Sequence, residues 1–117
     1  MHRFKDLEIW KQSRSLCSEI YTATTSFPSD EKFGLTNQLR RASVSIPSNI
    51  AEGCSRSSNK DFSRFLEIAI GSCYEIETQL LIAYDLGFIP IEVSENLTHK
   101  LDNIVKMISK FRSILTI

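Results

Sequence analysis

The sequence predicts an all-α fold, an antiparallel up-and-down bundle of four helices that forms a single domain over residues 1–117. Apolar residues recur at gaps of three and four through most of the chain, which is the spacing of one helix face, and no segment alternates as a strand does. The breaks in this pattern are short, and short connections place consecutive helices side by side in opposite directions. A chain of 117 residues has room for one such domain.

The first helix is predicted to cover about 20 residues and to end before Phe27-Pro28, because proline disfavours a helical conformation in the residue before it. Cys17 lies on its apolar face and is interpreted as a small buried side chain. That face consists of Leu7, Trp10, Cys17, Ile20, Tyr21 and Thr24.

The second helix is predicted over about Leu35–Gly53, and Pro47 lies inside it. Proline removes one backbone donor and leaves the carbonyl of Ser43 without its helical partner, so a kink is expected there. The apolar face of this helix consists of Leu35, Leu39, Ala42, Ile46 and Ile50.

A polar stripe runs along the edge of the second helix, again at gaps of three and four. One interpretation is the solvated face of a bent surface helix. The other is a polar network at an interface, in which Arg41 and Glu52 are at least half buried and paired, because unpaired buried charges are costly. The stripe consists of Gln38, Arg41, Ser45, Asn49 and Glu52.

The third helix is predicted from Asn59 to Leu86, since Ser58-x-x-Asp61 resembles a capping box and Gly87 is a natural C-terminal stop. Its apolar face consists of Phe62, Phe65, Leu66, Ala69, Cys73, Ile76, Leu80 and Tyr84. Beside that face lies a second polar edge of small residues, formed by Gly71, Ser72, Glu75 and Gln79. A glycine inside a helix indicates a close backbone approach, so the two polar edges together predict a subunit interface.

The fourth helix is predicted to begin near Pro90. Its stripe of apolar residues consists of Leu97, Leu101, Ile104, Ile108, Phe111 and Leu115.

Composition excludes several classes of protein. Lys and Arg balance Asp and Glu at 14 each, so total charge gives no argument for a nucleic-acid partner. The longest apolar run, Leu80–Tyr84, is too short to span a membrane, and the first residues lack the apolar core of a signal peptide, so a cytoplasmic protein is expected. The three cysteines contain no C-x-x-C pair, and the four glycines stand alone. We therefore expect no metal, no cofactor, no catalytic residues and no enzymatic activity.

The central segment resembles the signature of the bacterial four-helix-bundle proteins named for the 23S rRNA intervening sequence. It reads Gly34-Leu35-Thr36-x-Gln38-x-Arg40-Arg41-Ala42-x-x-Ser45-Ile46-Pro47-x-Asn49-Ile50-Ala51-Glu52-Gly53. Agreement continues in Leu7-x-x-Trp10, Phe27-Pro28-x-x-Glu31 and Phe65-Leu66-x-Ile68-Ala69-x-Gly71-Ser72-x-x-Glu75. Cys73 departs from the pattern, since the family usually has Leu there.

This resemblance implies a homopentamer of four-helix bundles and carries no catalytic residues. Some members are encoded inside insertions in large-subunit ribosomal RNA genes. A related branch, the accessory protein of diversity-generating retroelements, is a pentameric barrel that binds nucleic acid and its reverse transcriptase. The partners implied are therefore further copies of the chain, RNA or DNA, and, for the retroelement branch, a reverse transcriptase.

The charge distribution supports a nucleic-acid-binding scaffold. Residues 31–65 hold six basic and three acidic side chains, a net charge of +3, whereas residues 66–90 hold four acidic side chains and no basic one. The candidate phosphate contacts are Arg40, Arg56, Lys60 and Arg64, and a ring of subunits would multiply them. Two alternatives remain: the charges pair between helices, or the protein is a protein–protein adaptor without a nucleic-acid role.

Overall fold

The computed structural model describes residues 2–116 and consists of four long helices, with no strand in that range. They are α1 (Glu8–Thr24), α2 (Leu35–Cys54), α3 (Asn59–Asp85) and α4 (Ile91–Ser113). Single turns of 3-10 helix, Phe4–Asp6 and Ser29–Glu31, precede α1 and α2. The prediction of an all-α four-helix bundle is confirmed. No helix of residues 2–116 has both the length and the apolar character needed to cross a membrane.

The helices pack as a ring, in which α1 contacts α2, α2 contacts α3, α3 contacts α4, and α4 contacts α1. The most extensive contact is between α2 and α3. Residue numbers that rise along α2 meet numbers that fall along α3: Gln38 bonds to Gln79, Ser45 bonds to Ser72, and Gly53 lies against Phe62. These two helices therefore run in opposite directions.

The ends of α3 are fixed by the residues that the sequence marks for that role. The Ser58 hydroxyl accepts a hydrogen bond from the Asp61 N–H at 3.1 Å, which satisfies one of the free donors at the helix start. At the other end Gly87 has a φ of +78°, its N–H donates to the carbonyl of Tyr84, and the Phe88 N–H donates to that of Ala83. This pair of bonds is a Schellman motif, which glycine favours because a left-handed φ costs it little.

Buried apolar side chains from all four helices form the core. The predicted face of α2 is buried throughout, and so is that of α3 except for Tyr84. On α4, the residues from Leu97 to Ile108 of the predicted stripe are buried, whereas Phe111 and Leu115 are partly exposed. The Pro47 position lies inside a continuous α2, and the predicted kink there stays a prediction.

The predicted apolar face of α1 is partly wrong. Its buried residues are Ile9, Ser13, Leu16, Ile20 and Thr24. Tyr21 is 41% exposed because its ring lies at the surface under the guanidinium of Arg40. Ser13 is fully buried at little cost, because its hydroxyl donates to the carbonyl of Trp10 at 3.0 Å.

Helices α2 and α3 approach each other closely at Gly53, at the end of α2. A Cβ added to Gly53 would lie 2.7 Å from Cδ1 of Phe62 and 3.0 Å from Cβ of Phe65. A residue with a side chain fits at this position only if one of these groups moves.

The seam between α1 and α4 is less completely filled. Three surface grooves, of about 420, 300 and 130 Å³, lie along it. An ion pair between Glu19 and Lys100 bridges the two helices at its centre.

Candidate nucleic-acid interface

Three exposed cationic side chains cluster where α2 turns into α3. Arg56 lies in the turn, and Lys60 and Arg64 lie one helical turn apart at the start of α3. The guanidinium carbons of Arg56 and Arg64 are 4.6 Å and 5.7 Å from the centroid of the Phe65 ring. Because Phe65 is itself buried, its ring is a fixed support on which both cations rest. Arg56, Lys60 and Arg64 are called the basic patch below.

Acidic side chains offset part of the basic patch. Glu52 lies 3.7 Å from Arg56 in an exposed ion pair. Lys60 and Arg64 have no ion-pair partner among residues 2–116. Two free cations in adjacent helical turns therefore remain, and they are the strongest feature of this surface.

A groove of about 540 Å³ beside the basic patch also contains Arg112 from the last turn of α4. Arg112 donates from Nε to the Ser63 hydroxyl at 2.7 Å and from its terminal nitrogen to the Glu67 carboxylate at 3.0 Å. Arg112 was not among the predicted phosphate contacts. Its position could have been predicted from the up-and-down order of the helices, because that order places the end of α4 beside the start of α3. The groove is lined by Lys60, Asp61, Ser63, Arg64, Glu67 and Arg112.

Arg40, predicted to support the phosphate-contacting surface, is not part of the basic patch. It lies near the start of α2, about 20 Å from the patch along the helix axis. Its Nε donates to the Thr24 hydroxyl at 2.9 Å, and its guanidinium carbon lies 4.7 Å from the centroid of the Tyr21 ring. Arg40 thus joins α1 to α2.

The two polar edges predicted on α2 and α3 meet along one seam. The Ser45 and Ser72 hydroxyls are hydrogen-bonded at 2.9 Å, and the Asn49 amide donates to the Ser45 hydroxyl at 2.9 Å. Farther along, Gln79 Nε2 donates to the Glu75 carboxylate at 3.2 Å and to Gln38 Oε1 at 3.4 Å. The structure therefore brings Gln38, Ser45, Asn49, Ser72, Glu75 and Gln79 into one polar seam.

Gln79 is the one buried amide in this seam. The side chain is only 6% exposed, and its Oε1 has no hydrogen-bond partner among the described residues. A buried acceptor without a donor costs about 1–3 kcal/mol, so the seam lacks one donor in the isolated chain.

Three predicted interface residues lie on the outer side of the seam. Arg41 and Glu52 are exposed in the single chain, Glu52 beside Arg56. Their burial stays a prediction for an assembly. The close backbone approach expected at Gly71 is wrong within the chain, because an added Cβ would meet no atom within 4 Å. Gly71 lies on the outer face of α3, and Gly53 is the glycine at the helix contact.

Two of the three thiols, those of Cys54 and Cys73, are unsuited to nucleophilic chemistry. Burial raises the pKa of the Cys73 thiol to about 12, with a smaller contribution from the charge of Glu77. Burial also raises the pKa of Cys54. Both thiols are thus protonated at neutral pH. Within residues 2–116, no three His, Cys, Asp or Glu side chains are grouped so as to hold a metal ion.

Comparison with known proteins identifies the same family as the central motif. The model of the family described as 23S rRNA-intervening sequence proteins matches residues 5–110. A crystal structure of a protein of unknown function from the S23 ribosomal protein family of Bacteroides thetaiotaomicron has the same fold, with a TM-score of 0.79 at 23% sequence identity. The alignment covers 89% of this chain and 97% of that one. No curated protein matches the sequence.

Proposed function

Because this chain belongs to the family of 23S rRNA-intervening sequence proteins, we propose that it is a non-enzymatic, homo-oligomeric scaffold that binds RNA or DNA. The pentamer is the assembly that the family resemblance implies. The basic patch contacts the phosphate backbone, and the assembly acts in the cytoplasm.

The observation that carries this proposal is the pair of unpaired cations, Lys60 and Arg64, beside Arg56 at the start of α3. Phosphate binding depends on the number of cations that reach the backbone, and each one adds to the salt dependence. One patch with two free cations binds weakly. An oligomer presents several patches to one strand, which raises the affinity without any new contact.

The serine-rich turn contributes less than its composition suggests. Ser58 caps α3, and Ser55 donates to the carbonyl of Glu52 at 2.6 Å. Only Ser57 has a hydroxyl without a hydrogen bond within the described residues. Cations rather than hydroxyls therefore make the phosphate contacts, and such contacts carry little sequence specificity.

The proposal is tested by binding of the purified protein to RNA and to duplex DNA at about 50 mM and about 200 mM salt, the range over which phosphate contacts weaken most. We expect binding at the lower salt that is lost at the higher one. Replacing Arg56, Lys60 and Arg64 together by Glu should abolish binding and leave the oligomer intact. Absence of wild-type binding at the lower salt would refute the nucleic-acid function.

A matched control changes the total charge by the same amount elsewhere. Replacing the exposed residues Lys11, Lys32 and Lys106 by Glu should preserve most of the binding, because none of them lies in the basic patch. Arg40→Gln should also bind as the wild type does. Equal loss of binding in both triple variants would assign the interaction to total charge and not to the patch.

A protein–protein adaptor is the second candidate, and exposed apolar side chains favour it. Tyr74, Leu81 and Leu86, on or just after α3, are each more than half exposed. Clusters of exposed apolar side chains mark contact sites for other proteins. A protein that fails to bind nucleic acid but captures a protein partner, such as a reverse transcriptase, through these residues would establish this alternative.

A further inference from the structure

We propose that a second copy of this chain packs on the outer face of α2 and α3, and that Arg41 of one copy pairs with Glu75 of the other. The inference rests on the oligomeric part of the proposed function and assigns residues to the subunit contact. The outer face is formed by Arg41, Val44, Ile68, Gly71, Glu75 and Ile82.

Arg41 is the first observation. Every other arginine has a partner: a carboxylate, a hydroxyl or an aromatic ring. Arg41 alone has no hydrogen bond, ion pair or aromatic contact within residues 2–116. The adjacent residue Arg40 bonds to Thr24 and stacks on Tyr21. Arg41 lacks such partners because its side chain leaves the helix on a different face from that of Arg40.

Glu75 is the second observation. It lies seven residues after Ile68 and seven before Ile82, so the three share one face of α3. Ile68 and Ile82 are 46% and 44% exposed, which places the carboxylate between two uncovered apolar side chains. The only group that donates to the Glu75 carboxylate within the described residues is the amide of Gln79.

The orphan acceptor of Gln79 connects these observations. Its Oε1 is buried without a donor, while its Nε2 already bonds to Glu75 and Gln38. A guanidinium offers five N–H donors in a planar fork. An arginine arriving from outside therefore has enough donors for the exposed Glu75 carboxylate, and it bonds to the Gln79 amide oxygen, which is buried in the single chain, once that amide turns toward the surface.

The chain's own Arg41 does not make this contact. Gln38 meets Gln79 and Ser45 meets Ser72, so Arg41 lies at about the level of Glu75, yet the two form no ion pair within 4.0 Å. The free cation lies on α2 and the free anion on α3, so the α2 side of one copy is complementary to the α3 side of the next, a contact that can repeat around a ring. The Glu75 carboxylate would repel a nucleic-acid backbone, which makes the second copy the better occupant.

The neighbouring side chains permit close contact between two copies. Gly71 has open space where a Cβ would lie, and Val44 is exposed one turn after Arg41. Small and apolar residues around a charge pair exclude water from it, and exclusion of water strengthens the pairing.

The test uses charge reversal with mixing, read by size-exclusion chromatography with light scattering. Arg41→Glu alone and Glu75→Arg alone should each weaken self-association by at least about tenfold. Combining both changes in one chain should restore it, because every subunit contact then holds the reversed pair. Mixing the two single variants should pair unlike copies but leave at least one like-charged contact in a five-membered ring. A fold check by circular dichroism shows that the variants remain helical.

Matched controls are Lys106→Glu and Glu95→Arg, exposed residues on the outer side of α4, which should leave self-association unchanged. If the wild type is a monomer, this proposal and the oligomeric part of the proposed function both fail. If the wild type assembles but the single variants assemble equally well, only the Arg41–Glu75 contact is refuted. A double variant that assembles no better than the two single variants would also refute it.

Discussion

Replacing Gly53 by Ala tests how tightly α2 and α3 approach each other. The added methyl would lie 2.7 Å from Cδ1 of Phe62 and 3.0 Å from Cβ of Phe65, distances that require one of these groups to move. Phe62 is 4% exposed, so its ring has little room, and the Phe65 Cβ moves only with its backbone. The methyl therefore pushes the two helices apart or displaces the Phe62 ring.

Two opposing effects set the size of the change. Alanine in place of glycine stabilises a helix by about 1 kcal/mol. Overpacking costs about 1–3 kcal/mol, and contacts this short favour the upper part of that range, about 2–3 kcal/mol. The net result is a free energy of unfolding lower by about 1–2 kcal/mol. For 117 residues the unfolding entropy is about 0.25 kcal/mol/K, so the midpoint temperature falls by about 4–8 °C.

The measurement is thermal unfolding by far-ultraviolet circular dichroism at fixed protein concentration. Gly71→Ala is the matched control, because its methyl meets no atom within 4 Å of the single chain. In the Arg41→Glu background, where the proposed subunit contact is absent, we expect Gly71→Ala to raise the midpoint by about 4 °C. A Gly53→Ala protein as stable as the wild type would refute the close approach at Gly53.

Two further predictions concern a helix cap and a thiol. Ser58→Ala should lower the free energy of unfolding by about 1 kcal/mol, because the Asp61 N–H loses its acceptor, whereas Ser57→Ala should have no effect; urea titration of both variants decides this. The Cys73 thiol has a pKa of about 12 in the folded chain, whereas the reference value is 9.0. Between pH 9.0 and about 12 the unfolded chain has therefore lost this proton while the folded chain keeps it, so the free energy of unfolding falls as the pH rises. The loss approaches about 1.4 kcal/mol per pH unit. Urea titrations at several alkaline pH values should show a shallower decline in Cys73→Ala, and equal slopes would contradict the assignment.

The ends of α3 were predictable because local residues determine them. Ser58 and Gly87 bound α3 through side-chain and backbone geometry that depends only on neighbours a few positions away. The apolar face of α2 was equally predictable, because its five residues carry purely apolar side chains and all five are buried. Spacing also predicted the two polar edges, but it assigned them to a subunit interface, whereas in the structure they bond to each other within one chain.

Other features depend on contacts between distant residues, which spacing does not reveal. Tyr21 was placed in the core because tyrosine is partly apolar, but Arg40 holds it at the surface. Gly71 and Gly53 look alike in sequence, and only the arrangement of α2 against α3 shows that Gly53 is the one in contact. Arg112 lies beside the basic patch because the end of α4 packs against the start of α3. Its partners Ser63 and Glu67 are more than forty residues away in the sequence.

The incompletely filled seam between α1 and α4 has a consequence for motion. The other three contacting helix pairs are neighbours in the chain, whereas α1 and α4 are separated by the whole α2–α3 hairpin. Bringing them together closes the longest loop and therefore costs the most chain entropy. The same seam holds three grooves, so fewer contacts offset that cost. Partial unfolding should therefore begin at this seam. The amide hydrogens of α1 and α4 should exchange with solvent sooner than those of the α2–α3 hairpin, which stays packed around Gly53.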